Sequence, residues 1–258
     1  GTPVTIPALK NDTDPDGEPL TVTQDDGKHI SPRSPVTLVD PVGNPIGTVA
    51  LNPDGTLTYA LEGAIFVTGS AVQWLRDGLG LIENASETED LANSVPNSAG
   101  VVFVPALTGL GAPDWDPNAR GAIFGLTRGA TRAHVVRATL EAIAFEVRDV
   151  VDVMVNEADV SLPRLTVDGG AAANNFLCQA QADQIKVPVV RSEILETTGL
   201  GAAFLAGLGT GFWSNKEELA KTWRSDRTFE PQDRDEQSHR RWRVAVERTK
   251  GWATAVSK

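Results

Sequence analysis

The chemistry of this chain concentrates in one stretch, Leu165-Thr166-Val167-Asp168-Gly169-Gly170-Ala171-Ala172-Ala173-Asn174-Asn175-Phe176. A β-prone run ends in Asp-Gly-Gly and a helix-prone run follows at once. Glycines let a backbone pass close to a ligand and take dihedrals that a Cβ forbids. The first N–H groups of a helix have no intrahelical partner and favour an anion or a polar group in front of them. Asn174, one turn in, offers a donor and an acceptor to a purine edge or a ribose. A tight strand-to-helix turn without a ligand explains the same residues equally well.

Two further stretches carry weaker signals. In Phe66-Val67-Thr68-Gly69-Ser70-Ala71-Val72-Gln73, Gly69 sits at a helix start and Gln73 lies four residues on, on the same face. Such a pair can admit and bind a nucleotide base, although a surface helix with a packing glycine is the plainer reading. The loop Thr108-Gly109-Leu110-Gly111-Ala112-Pro113-Asp114-Trp115-Asp116-Pro117 places a tryptophan between two acids, facing a ligand or covering the core. Asp116 and Arg120 are spaced to pair locally.

The elements that must hold these residues follow from periodicity. Residues 132–155 repeat apolar side chains at three- and four-residue spacing (Val136, Leu140, Ile143, Val147, Val150), which predicts an amphipathic helix of several turns. Further helices are expected from Phe66 to about Leu79, Ala171 to about Ile185, Leu200 to Gly207 and Asp233 to Arg248. Val101–Pro105, Leu162–Val167 and Val187–Val190 read as buried strands between them. Strands alternating with helices give an α/β architecture. The first 59 residues differ: they hold nine of the 16 prolines and none of the six tryptophans, and show short β-prone runs between turn signals. Asn52-Pro53-Asp54-Gly55 predicts a hairpin joining Gly47–Leu51 to Thr56–Tyr59.

Composition narrows the function. Hydrophobic residues make up 41% of the 258 and charged residues 22%, enough for a packed core. A net charge of −11 argues against a nucleic-acid surface or an anionic membrane. It leaves ATP open, since backbone N–H groups and Mg²⁺ can hold its phosphates. The single cysteine, Cys178, rules out an intrachain disulfide. No apolar run is long enough to span a membrane, and no signal peptide is expected. Gly1 in place of Met reads as a processed or partial chain.

Taken together, in their order and spacing, these motifs resemble the FGGY family of carbohydrate kinases, most closely its glycerol-phosphorylating members. The resemblance rests on Tyr59-Ala-Leu-Glu-Gly63, Gly69 with Gln73, Gly109-Leu-Gly-Ala-Pro113, Gly121-Ala-Ile-Phe-Gly-Leu126 with His134 to Glu141, Asp168 to Asn175, Leu200-Gly-Ala-Ala-Phe-Leu-Ala-Gly207 and Trp242 to Trp252. It covers residues 57 to 253. It implies the second, nucleotide-binding lobe of an actin-like (ribonuclease H-like) ATPase fold, over residues 60–258. By the resemblance, Gly69 and Gln73 meet ATP or ADP near its phosphates and ribose, and Gly170 and Asn174 lie along the adenosine. His134 and Glu141 belong to the family pattern as structural residues. The catalytic Asp, the polyol pocket and a phosphate-binding hairpin belong to the family's first lobe, and the Gly-Thr-Gly phosphate loop that opens the family's second lobe is absent from this sequence. The chain alone is therefore expected to bind nucleotide with Mg²⁺ weakly and to be inactive as a kinase. Its expected partners are the missing first lobe or further copies of itself, and the expected location is the cytoplasm. Two departures stand out: Asp114 replaces a usual aromatic residue, and Gly199 replaces a usual alanine.

Residues 1–59 resemble part of a bacterial cadherin-like repeat of surface adhesins, through Asn11 to Val22 and Gly47 to Tyr59. Asp12, Asp14 and Asp16 alternate there and offer oxygen ligands for Ca²⁺; a solvated acidic turn is the alternative. The join of two such parts points to a chimera, whether natural, engineered or a product of the gene model. A second function class follows: an adhesin-type β module with a kinase-derived passenger.

Overall fold

The computed structural model describes residues 4–6, 24–25, 28–31, 35–39, 45–52, 57–61, 63–158, 161–233 and 235–255. The chain divides into two compact units, Gly1–Ala64 with Asn156–Asp159, and Ile65–Val155 with Val160–Lys258. The proposed calcium residues Asp12, Asp14 and Asp16 lie outside the described residues.

The first unit is built of strands β1 (Val4–Ile6), β2 (Gln24–Asp25), β3 (Lys28–His29), β4 (Val36–Val39), β5 (Pro45–Leu51) and β6 (Leu57–Leu61). Four of them form an antiparallel sheet in the order β1-β6-β5-β4, and β2 pairs with β3. The predicted hairpin is present, with Leu51 opposite Leu57. Its two-residue periodicity puts Val49 and Leu51 on one face, where Val49 joins Ile30 and Val36 in a small core flanked by Leu51 and Leu57.

The second unit carries α1 (Gly69–Asp77), α2 (Glu87–Asn93), β7 (Val102–Val104), β8 (Ala122–Phe124), α3 (Arg132–Ala158), β9 (Leu165–Val167), α4 (Asn175–Ile185), β10 (Val189–Ser192), α5 (Thr197–Thr210), α6 (Lys216–Ala220), β11 (Ser225–Phe229), α7 (Glu236–Thr249) and α8 (Trp252–Ala255). The long helix α3 is its hub. Val136, Leu140 and Ile143 pack with α1 and α2 residues, Ala142 and Phe145 with Trp242 and Val246 of α7, and Val147 and Val151 against the cluster under β9 and β10. A helix apolar on so many sides is one enclosed by neighbours. α7 follows the expected spacing, burying His239, Trp242, Val246 and Thr249. The Trp242 indole N–H donates to the Phe103 carbonyl at 3.2 Å, which satisfies its one polar atom.

β9 and β10 run parallel, with Val189 opposite Leu165, and β11 adds antiparallel beyond β10. Several elements depart from the sequence reading. The first helix begins at Gly69 rather than Phe66, because Phe66 is exposed and Val67 turns inward. The helix expected from Ala171 is split into a 3-10 turn (Gly170–Ala173) and α4. α5 starts at Thr197, so Gly199 lies in its first turn rather than before it. α2 and β11 had no apolar rhythm to reveal them. α2 buries only Thr88 and Ala92, and β11 buries only Phe229. Among the described residues no helix is long and apolar enough to cross a membrane.

Candidate functional site

At the C-terminal end of β9 the chain turns sharply through Asp168, Gly169 and Gly170. Gly169 has φ +81° and ψ 168°, a conformation that side chains all but exclude. Its N–H donates to the Leu195 carbonyl at 2.9 Å, and the Thr197 hydroxyl donates to Asp168 Oδ2 at 2.6 Å. These two bonds tie the turn to the start of α5. A Cβ placed on Gly169 or Gly170 would meet nothing within 4 Å, so the turn is an open ledge. On its other flank stands α1: a Cβ on Gly69 would lie 3.9 Å from the Ala171 Cβ. Gly69 and Gly170 are thus brought to one neighbourhood, and Gln73 sits exposed one turn further along α1.

Asn174 is held by bonds within the protein. It is the N-cap of α4: its Oδ1 accepts from the Leu177 N–H at 2.9 Å, and its Nδ2 donates to Thr88 Oγ1 at 2.9 Å. The Asn175 N–H donates to Glu89 Oε2 at 2.7 Å. Two of the helix amides expected to face a ligand are therefore already engaged, one of them by a carboxylate. Sequence reasoning missed the supports of this ledge. Glu89 also accepts from Asn175 Nδ2, and Arg191 donates to the carbonyls of Ala172 and Ala173 and to Asn175 Oδ1. Their signal was hidden in α2, a short polar helix. Cys178, buried under the ledge, donates to the Ala172 carbonyl, and burial pushes its thiol up to about 11.

The glycine-rich loop before β8 is closed rather than open. Asp114, the departure from the usual aromatic residue, accepts from Arg243 at 2.8 and 3.0 Å and from Lys250 at 2.8 Å. Burial works against its charge, but the Arg243 and Lys250 hydrogen bonds hold its carboxyl below the ordinary value. Arg243 also donates to Asp149, which bonds His239 at 2.8 Å. Glu146 faces the same small hollow as Asp114 and Asp149. Its Oε2 is enclosed with no hydrogen-bond partner, and burial followed by the charges of Asp149 and Asp114 push its carboxyl well above its ordinary value. The expected Asp116–Arg120 pair does not form. Asp116 accepts from the Asn118 and Gly251 N–H groups, and Arg120 donates to the carbonyls of Pro117 and Ala119, because the tight turn aims both side chains at backbone. Trp115 lies edge-on to Phe66, 6.2 Å between ring centres. His134 bonds Thr131 at the start of α3, and Glu141 pairs with Arg137 one turn away, both structural contacts. Among the described residues no group of three or more His, Cys, Asp or Glu could hold a metal ion.

An α/β lobe with an Asp-Gly-Gly ledge between a parallel strand and a capped helix has known counterparts. The pattern of the FGGY family of carbohydrate kinases, C-terminal domain, matches residues 33–210, and this chain belongs to that family. Within it, the chain is 56% identical over 208 residues to glycerol kinase 2 of Thermotoga maritima and 58% identical over 211 residues to glycerol kinase of Aromatoleum aromaticum. These alignments cover 80% and 81% of this chain but 42% of each relative, so the chain spans less than half the length of the curated relatives it matches. The fold of the Plasmodium falciparum glycerol kinase solved with ADP superposes with a TM-score of 0.68 at 37% identity, covering 79% of this chain and 41% of that one. A ligand-bound xylulose kinase of Lactobacillus acidophilus, 24% identical with a TM-score of 0.62 over 85% of this chain and 44% of that one, shares the actin-like fold. The family match begins at residue 33, inside the segment read from sequence as a separate β module.

Proposed function

We propose that this chain is the nucleotide-binding half of an ATP-dependent kinase that phosphorylates glycerol, with ATP or ADP resting on the ledge at Gly169–Gly170. The observation that carries the reading is the empty space over those two glycines, flanked by Gly69 of α1. The glycerol specificity rests on the identity to glycerol kinases alone. On this reading Gly170 leaves room for the adenosine. Asn174 contributes by fixing the ledge through its cap to Leu177 and its bond to Thr88, and keeps one Nδ2 hydrogen for the ligand. Glu89 makes the start of α4 a poor seat for phosphate, so the phosphates point toward Gly69 and Gln73.

Transfer of the γ-phosphoryl group needs a positioned hydroxyl, a base for its proton and Mg²⁺ bridging the phosphates. We place those groups in the part of the kinase that this chain does not span. The chain alone then binds nucleotide through one wall of a cleft and does not turn it over, and we place the kinase in the cytoplasm. We read residues 1–59 as a separate β module resembling adhesin repeats, joined to the lobe at residue 60. Titration calorimetry with ADP and Mg²⁺ tests the core of the proposal: weak heat is expected, and none at millimolar nucleotide overturns it. Glycerol-dependent ADP release by the purified chain would overturn the expected inactivity.

A further inference from the structure

The carboxylates around the ledge are not equally engaged. Glu89 accepts from the Asn175 N–H and from Asn175 Nδ2. Asp226 accepts from the Arg191 guanidinium at 2.7 Å. Asp168 has one bond, from the Thr197 hydroxyl to its Oδ2 at 2.6 Å. Among the described residues nothing donates to its Oδ1, and no cation pairs with it.

The place of that free oxygen gives it meaning. The alternation of β9 sends Leu165 and Val167 toward the cluster under α4, and Asp168 to the opposite face with Thr166. Asp168 is the first residue past β9, which runs parallel to β10. In open sheets of parallel strands, ligands bind in the crevice outside the carboxyl ends of the strands. The next two residues are the ledge glycines, and a Cβ on either would meet nothing within 4 Å. Asp168 is also steadied before any ligand arrives. Thr197 holds one of its oxygens, and the Gly169 N–H beside it is tied to the Leu195 carbonyl at 2.9 Å. A group held in this way loses little further freedom on binding.

We infer that Asp168 reads the sugar of the nucleotide: its Oδ1 accepts from the 2′- or 3′-hydroxyl of the ribose, so that the ledge prefers ribonucleotides to their deoxy analogues. The inference rests on the nucleotide reading above. A carboxylate accepts hydrogen bonds and repels phosphate oxygens at close range. The phosphates therefore stay away from Asp168, in keeping with their direction toward Gly69 and Gln73. The ribose joins those phosphates to the base, and it carries two hydroxyl donors. A site built to bond a hydroxyl rejects the analogue that lacks it, because its own polar group is then left unpaired.

The test compares ADP, 2′-deoxy-ADP and 3′-deoxy-ADP on the full chain by ligand-observed NMR, which reads weak affinities. The parent chain is expected to bind at least one deoxy analogue about tenfold more weakly than ADP. Asp168→Ala is expected to weaken ADP by a similar factor and to bind all three nucleotides alike, with its melting temperature little changed because Asp168 is exposed. Should that variant not fold, Thr197→Val carries the test. It keeps the carboxylate but frees it to turn, and the preference for ADP is expected to fall. A parent chain that binds the three nucleotides equally overturns the inference, as does a preference that either variant leaves intact. An effect of Asp168→Ala confined to Mg²⁺-loaded nucleotide overturns it in favour of a metal contact. ADP binding without any sugar preference sinks this inference alone, whereas no ADP binding by the parent chain sinks the nucleotide reading beneath it.

Discussion

Two sets of glycines in this lobe, those flanking β8 and those of the Asp-Gly-Gly turn, look alike in sequence and behave in opposite ways. At Gly109 and Gly125 the missing Cβ is needed by the protein itself. A Cβ on Gly109 would come within 2.9 Å of the Asp116 carbonyl oxygen and the Pro117 Cα, and one on Gly125 would collide with the Gly100 carbonyl. At Gly169 and Gly170 nothing stands within 4 Å. The first turn spends its freedom on packing; the second leaves the space empty. The contrast separates glycines that close a fold from glycines that leave room for a ligand, a distinction the letters of the sequence do not carry.

The largest effect expected from this contrast is at the closed turn. Gly125→Ala adds a carbon into backbone at φ +75°, which combines overpacking with left-handed strain and is expected to cost about 3 kcal/mol or more. Urea unfolding, or loss of soluble yield, measures it; a cost under about 1 kcal/mol would erase the contrast. Next comes Asn174, where the open turn is fastened. Asn174→Ala removes the cap to Leu177 and the bond to Thr88, and is expected to cost about 1–2 kcal/mol. Asn174→Asp keeps the cap acceptor and gives up only the donor, so its melting temperature should fall between those of the alanine variant and the parent. Equal melting temperatures for Asp and Ala would show that the Thr88 bond, not the cap, fastens the turn.

Legibility followed the same line. The long helix α3 and the outline of α7 were readable because their apolar residues recur on one or more faces, and the hairpin of β5 and β6 because Asn-Pro-Asp-Gly marks a turn. The Asp-Gly-Gly motif showed where the chain must bend. The supports of the ledge were unreadable. Glu89 and Thr88 lie on a polar helix with two buried residues, and their partners are 86 positions away. Asn174 could be picked out as a residue able to bond, but one of its partners, Thr88, is set by where α2 packs. The role of Asp114 was hidden for the same reason, since Arg243 and Lys250 reach it from the far end of the chain.

The neighbourhood of the closed turn also predicts a pH dependence. The folded lobe holds the Glu146 carboxyl above its ordinary value, so folding takes up a proton there. The stability tied to that proton is complete below the unfolded carboxylate pKa and is lost as pH rises through the folded value. Asp149 and Asp114 share the hollow with it, and Arg243, Lys250 and His239 pair with those two carboxylates. Glu146→Gln is expected to raise the melting temperature at about pH 8 and to change it little at about pH 3, below the range where the unfolded carboxyl ionises. A stabilisation that is the same at both values would mean that shape, not charge, strains this corner.

The smallest expected change in stability is the most telling. Gly170→Ala meets open space, at a position inside a 3-10 turn without positive φ, so unfolding should shift by no more than about 0.5–1 kcal/mol, and in the stabilising direction as readily as the other. The same methyl group stands where the nucleotide is proposed to rest. A ligand seated against Gly170 would lose that contact, and calorimetry with ADP and Mg²⁺ should show affinity falling about tenfold or more, the cost of even a modest steric misfit. Because the fold does not register the change, lost heat could not be blamed on damage to the lobe. Undiminished ADP binding by Gly170→Ala would instead mean that the space above the ledge is left open for something other than a nucleotide.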